Sequence, residues 1–204
     1  DLPDAGVPVP EGARSLLLVE LDGDVRHVPE QTERVGNAMV DAGAVEVLVA
    51  DKGSERERLW GARRELSHTL RRSAKHKLSE DVVVPRSRIA DLLAVCHQLA
   101  EQHRIVMPTY GHAGDGNLHV NFLWHDPAQR PAVDAAIRGL FESVVAMRGT
   151  LSGEHGIGTS KSEFLPLEQS PELIEIQRKL KAVFDPRGLL NPHKIFPRRT
   201  HGSC

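Results

Sequence analysis

Two periodicities divide this chain. Short apolar runs, "SLLLVELDG" at 15–23 and "VEVLVA" at 45–50, predict strands, the first ending in a turn signal. Between them Val35, Ala38, Met39 and Ala42 return at helical spacing. Pro29 suits the first turn of that helix and Gly43 its end. Ser54 and Glu57 form a capping-box pattern before a helix running to about residue 73. Its buried stripe is Leu59, Ala62, Leu66 and Leu70. "DVVVP" at 81–85 is a short strand closed by proline, and Ile89, Leu92, Leu93, Cys96 and Leu99 mark the next helix. "RIVMPTYG" and "NLHVNFLW" predict a hairpin about a glycine-rich turn. Asp126-Pro127 opens a helix carrying Val133, Ile137, Leu140 and Val144. Ser170-Pro171 opens the last, carrying Leu173, Ile176, Leu180 and Val183. Strands interleaved with helices around a tight hairpin predict an α+β fold, an antiparallel sheet with helices packed on one face.

Charge and cysteine content narrow the classes. Against 26 Lys and Arg stand 28 Asp and Glu, a net charge of −2 in 204 residues. That balance gives no electrostatic case for a nucleic-acid partner or an anionic membrane. A basic run, "RRSAKHK" at 71–77, reads either as a solvated helix end or as an anion site. Cys96 and Cys204 lack CxxC partners, so neither a disulfide framework nor a thiolate metal site is expected. No run of 18 apolar residues exists, so no membrane span is expected. The Pro/Gly-rich opening, residues 1–14, reads as a linker, and the expectation is a piece of a longer protein.

The candidate chemistry sits in two glycine-rich polar clusters. In "YGHAGDGNLHVNF", 110–122, alternation puts Leu118, Val120 and Phe122 on one strand face and His119 with Asn121 on the other. That polar face is either solvent-exposed or built for a purpose. His112 lies across the turn from His119, and a hairpin brings such residues together; neutral imidazole is a favoured zinc ligand. In "GTLSGEHGIGTSK", 149–161, Glu154 is a candidate third ligand, and His155, pointing the other way, is free for acid–base work. A His₂Glu set leaves positions open for substrate. The alternative for the second cluster is a plain surface loop.

With "VFDPRGLLNPHKIFP" near the end, these clusters resemble, in order, three signatures of the FAD-linked oxidase C-terminal domain. This is the cap or substrate domain of D-2-hydroxyacid dehydrogenases, the D-lactate dehydrogenase and glycolate oxidase FAD-subunit family. The resemblance covers about residues 15–197 and implies a ferredoxin-like cap domain there, with 198–204 as a tail. It also implies a separate flavin-binding domain, outside this sequence, that holds most of the FAD. By the same resemblance His112, His119 and Glu154 match metal ligands, the divalent metal being zinc by expectation. His155 matches the base that takes the substrate hydroxyl proton. Arg63 matches a grip on the substrate carboxylate, with Arg64 as its stand-in if the helix phase shifts. Ser67, Lys77 and Asn121 match substrate-facing positions, and Glu154, His155, Gly156 and Asn191 match the flavin's surroundings.

The implied reaction oxidises a small 2-hydroxy acid to the 2-oxo acid by hydride transfer to FAD. "SAKHKLSEDVVVP" is closer to D-lactate or glycolate members than to the 2-hydroxyglutarate enzyme. The electron acceptor is unknown, and the fragment alone is expected to be inactive. The expected location is the cytoplasm, with attachment at a membrane periphery only through the electron acceptor. Two other readings are a freestanding His₂Glu metal hydrolase and a non-catalytic subunit-docking module. Neither accounts for the tail motif.

Overall fold

The structure, a computed structural model, describes residues 9–196. Residues 1–8 of the expected linker and the tail at 198–204, with His201 and Cys204, lie outside the described residues. The chain divides into two compact units, Asp1–Arg72 and Ser73–Cys204.

The first unit contributes α1 (Val28–Asp41) and α2 (Gly53–Ser73, its last residue across the boundary). Pro29 occupies the first turn of α1, and Gly43 takes the left-handed φ of +85° that follows its end. α1 buries no residue, and α2 buries only Ala62, with Leu59, Leu66 and Leu70 half-buried. The strands expected at 15–23 and 45–50 are not formed. Both runs are irregular, and Leu16, Leu17, Leu48 and Val49 are exposed. A β-branched run becomes a strand only when a neighbour pairs its N–H and C=O groups, and neither run has such a ladder.

The second unit is built on β1 (His76–Val83), α3 (Ile89–His103), β2 (Thr109–His112), β3 (Asn117–Trp124) and α4 (Arg130–Ala146). All pairings are antiparallel, in the order β1-β3-β2. Beyond β1 a single antiparallel bridge joins Val83 to Thr150. Strand–helix–strand–strand–helix followed by that bridge is the ferredoxin-like order, its fourth strand reduced to one residue pair. Val82, Val120 and Phe122 pack with Leu92 and Cys96 of α3 and with Val133, Leu140, Phe141 and Val144 of α4. This core fixes the register of the sheet, because a one-residue slip would turn these side chains away from the helices.

α5 (Leu165–Glu168) and α6 (Pro171–Phe184) complete the unit. Ser170 caps α6 by accepting from the Leu173 N–H. The apolar residues that mark α6, Leu173, Ile176, Leu180 and Val183, are exposed, and Ile174 is the buried residue. Helical spacing identifies an apolar face but not what it packs on. Among the described residues no helix is long and apolar enough to cross a membrane.

Candidate functional site

The site grows on the sheet face opposite α3 and α4. In register, Asp81 of β1 and Tyr110 of β2 flank His119 of β3, and His112 pairs with Asn117. The hairpin is tight because two glycines permit it. A Cβ at Gly111 would lie 2.2 Å from the Asn117 carbonyl oxygen, and Gly116 combines a φ of +83° with a Cβ position 2.0 Å from the Val84 carbonyl oxygen. The turn is closed by Gly116 N–H donating to the His112 carbonyl and by Asn117 N–H donating to Asp115 Oδ1. The outcome is a meeting of imidazoles, with the His112 and His119 rings 5.8 Å apart, edge to face.

All eight residues of β3 are buried, so the polar face of this strand is not a solvated one. Asn121 is 0 % exposed and donates its side-chain amide to the carbonyls of Pro108 and His119, each at 3.1 Å. Its Oδ1 is buried with no hydrogen-bond partner. The Nδ2 bonds brace the backbone that carries His119, because a buried amide satisfies its donors inside the protein.

The second cluster arrives through the Val83–Thr150 bridge. Glu168 steadies its start, accepting from the Thr150 hydroxyl and the Leu151 N–H at 2.9 Å each. Residues 153–155 then cross Asp81, whose Oδ2 accepts from the N–H groups of Gly153, Glu154 and His155. Glu154 Oε1 stands 3.5 Å from His119 Nε2 and 3.8 Å from His155 Nε2. The His155 ring stacks on His119 at 5.5 Å. Glu154 and His155 are exposed. The tail reaches the same place, because Ile195 N–H donates to the Gly158 carbonyl at 2.7 Å. Asn191, with φ +45°, lies exposed on that tail.

Among the described residues two sets of donors are close enough to share one ion: His112, His119 and Glu154, or Asp81, His119 and His155. Asp81 Oδ2 already accepts three N–H groups and a metal on that oxygen would compete with them, whereas Oδ1 is buried without a partner. The first set keeps its ligand atoms uncommitted by comparison, and two imidazoles with a carboxylate are donors that suit zinc. Burial pushes His119 below the ordinary imidazole range, with His155 and His112 acting in the same direction and Asp81 and Glu154 opposing. A neutral imidazole is the form that ligates metal. At Gly156 an added Cβ would meet no atom within 4 Å.

Behind the site lies a buried cation that the sequence reading did not single out. Lys161, 4 % exposed, donates to the carbonyls of Asp81 at 2.8 Å and Leu151 at 2.6 Å, and pairs with Glu80 at 3.5 Å. Burial pulls Lys161 down and pushes Glu80 up, and each partner opposes the shift in the other. Lys77 is half-buried on β1, on the same strand face as Asp81. Arg63, half-buried, and Ser67, exposed, lie on α2 in the first unit. Arg64 is paired with Glu57 on the exposed side of that helix.

Known proteins are similar to this chain over nearly its whole length. The family model for FAD linked oxidases, C-terminal domain, matches residues 3–195. The glycolate oxidase subunit GlcD of Bacillus subtilis is 35% identical over 198 residues, covering 95% of this chain and 42% of its own length. GlcD of Escherichia coli K12 is 34% identical, over 97% of this chain and 40% of its own. The D-lactate dehydrogenase of Archaeoglobus fulgidus is 34% identical, over 91% and 40%. The chain thus spans about two-fifths of the length of these relatives.

Proposed function

The chain belongs to the family of FAD-linked oxidase C-terminal domains, and from that premise we propose that it is the substrate-handling half of an FAD-dependent 2-hydroxyacid dehydrogenase. The substrates we assign are D-lactate or glycolate, the acids for which the relatives are named. The observation that carries the reading is the convergence of His112, His119 and Glu154 beside an exposed His155. The remaining three-fifths of a relative's length is the room for a flavin-binding domain.

His112, His119 and Glu154 are the residues to hold a divalent ion, zinc by the donor set. Bound there, the ion supplies Lewis acidity that makes a 2-hydroxyl easier to deprotonate. FAD, when bound, supplies the acceptor for the hydride at C2. His155 takes the hydroxyl proton. Its imidazole is exposed and within ring contact of His119, and imidazole is the side chain most often used to move a proton in catalysis. For the flavin's surroundings we assign Gly156, where no side chain stands in the way, and the exposed Asn191. For the substrate carboxylate we assign Arg63, a planar fork matched to two oxygens, with Ser67 and Lys77 as further donors. The electron acceptor lies with the rest of the enzyme. The location we assign is the cytoplasm, with any membrane attachment made through that acceptor.

The test is flavin bleaching in the intact flavoprotein. His155→Gln should lower kcat for D-lactate or glycolate by roughly 10²–10⁴-fold, with KM little changed. Full activity in that variant would remove His155 from proton transfer and defeat the mechanism.

A further inference from the structure

Three consecutive N–H groups converge on one oxygen. Asp81 Oδ2 accepts from Gly153 at 3.0 Å, Glu154 at 2.8 Å and His155 at 2.8 Å. Successive amides aimed at one point form a nest that binds anions. Here the protein's own carboxylate fills it, 1 % exposed. Such charge-assisted bonds are roughly twice as strong as neutral ones.

Asp81 is itself held. Its strand neighbour in register is His119, and its carbonyl accepts from Lys161. Burial alone would raise its carboxyl, but the His155 and Glu154 N–H groups and the Lys161 charge hold it below the usual carboxylate range. The approach of the loop also requires a glycine. A Cβ at position 153 would sit 2.6 Å from Asn117 Oδ1 and 2.7 Å from Asp81 Oδ1. His155 Nδ1 is 4.0 Å from Asp81 Oδ2, beyond hydrogen-bond range, so the grip is on the backbone and not on the imidazole.

We propose that Asp81 is the positioning residue of this site. Its carboxylate sets the 153–155 backbone so that the otherwise exposed Glu154 and His155 face His119. The inference rests on the reading of Glu154 as a ligand and His155 as a base. Asp81 holds both through adjacent amides, so it fixes the distance between metal ligand and base in one step. A loop free to move by an ångström would lose that alignment.

The test is made on the full chain by amide hydrogen exchange and zinc titration. Asp81→Asn, nearly isosteric, should speed exchange at Gly153, Glu154 and His155 about tenfold while the amides of Val120 and Phe122 keep their protection. Zinc affinity should fall about 10–100-fold, as for an outer-shell partner. Gly153→Ala should loosen the same loop and weaken zinc with the carboxylate intact, which decides the matter if Asp81→Asn fails to fold. Glu154→Gln should lose zinc without changing the exchange of the three amides. Should the unsubstituted chain bind no zinc, the metal reading falls while the exchange data still decide Asp81. Unchanged exchange at 153–155 in Asp81→Asn, or an equal rise across β1 and β3, would overturn the proposal.

Discussion

His119 Nε2 lies 3.5 Å from Glu154 Oε1, where the hairpin meets the second glycine-rich loop. His119 belongs to both sets of donors that can share an ion, whereas His112 belongs to one. The two histidines should therefore not be equivalent. His119→Ala should abolish zinc binding to the chain, and His112→Ala should weaken it while leaving His119 and Glu154 as a partial site. Elemental analysis after a zinc soak, with circular dichroism to confirm folding, separates the two. Equal zinc content in His119→Ala and the unsubstituted chain would remove His119 from the ligand set.

The two polar clusters were legible because their residue types are costly for a plain turn. Histidine, aspartate and asparagine between glycines have no packing reason to recur. Alternation along β3 placed His119 and Asn121 opposite Val120 and Phe122. Periodicity gives the face and not the depth, and the full burial of Asn121, with its amide on the Pro108 carbonyl, shows only in the fold. Asp81 was read only as the start of an apolar strand. Its partners are amides more than 70 positions later, and a backbone N–H has no sequence signature. Lys161 escaped for the same reason, since its partners are two carbonyls and a glutamate brought in by the fold. The apolar runs at 15–23 and 45–50 carry strand propensity without a ladder, which only a paired neighbour provides.

Lys161 and Glu80 form a buried pair with unequal members. Lys161 donates to two carbonyls besides its carboxylate, so its loss orphans three acceptors at once. Removing one partner of a buried pair costs about 3–5 kcal/mol, and Lys161→Met should fall in that range. Glu80→Gln keeps an acceptor and leaves Lys161 bonded to both carbonyls, so about 1–3 kcal/mol is expected. Urea unfolding of both variants gives the order. A larger loss in Glu80→Gln would show that the carboxylate, and not the ammonium, ties β1 to the second loop.

Cys96 makes the pH dependence of the core measurable. It is 1 % exposed among the residues that join α3 to the sheet, and burial pushes its thiol up to about 11, against a smaller opposing hydrogen bond with Thr109. In the unfolded chain the thiol ionises near its ordinary value of 9.0. The folded state therefore holds the proton more tightly. Its contribution is complete below pH 9.0 and is lost as pH rises toward 11. At about 1.4 kcal/mol per unit, the loss over that window is on the order of 2–3 kcal/mol. Cys96→Ala should start less stable, because it leaves a small cavity, but should lack this share of the alkaline slope. Urea midpoints from pH 8 to 10.5 compare the slopes. Thiol labelling followed by peptide mapping gives an independent check: Cys96 should resist reagent in the folded chain at pH 8 and react on unfolding. Parallel slopes, or rapid labelling of folded protein, would mean that Cys96 is reached by water and that the α3 side of the core opens readily.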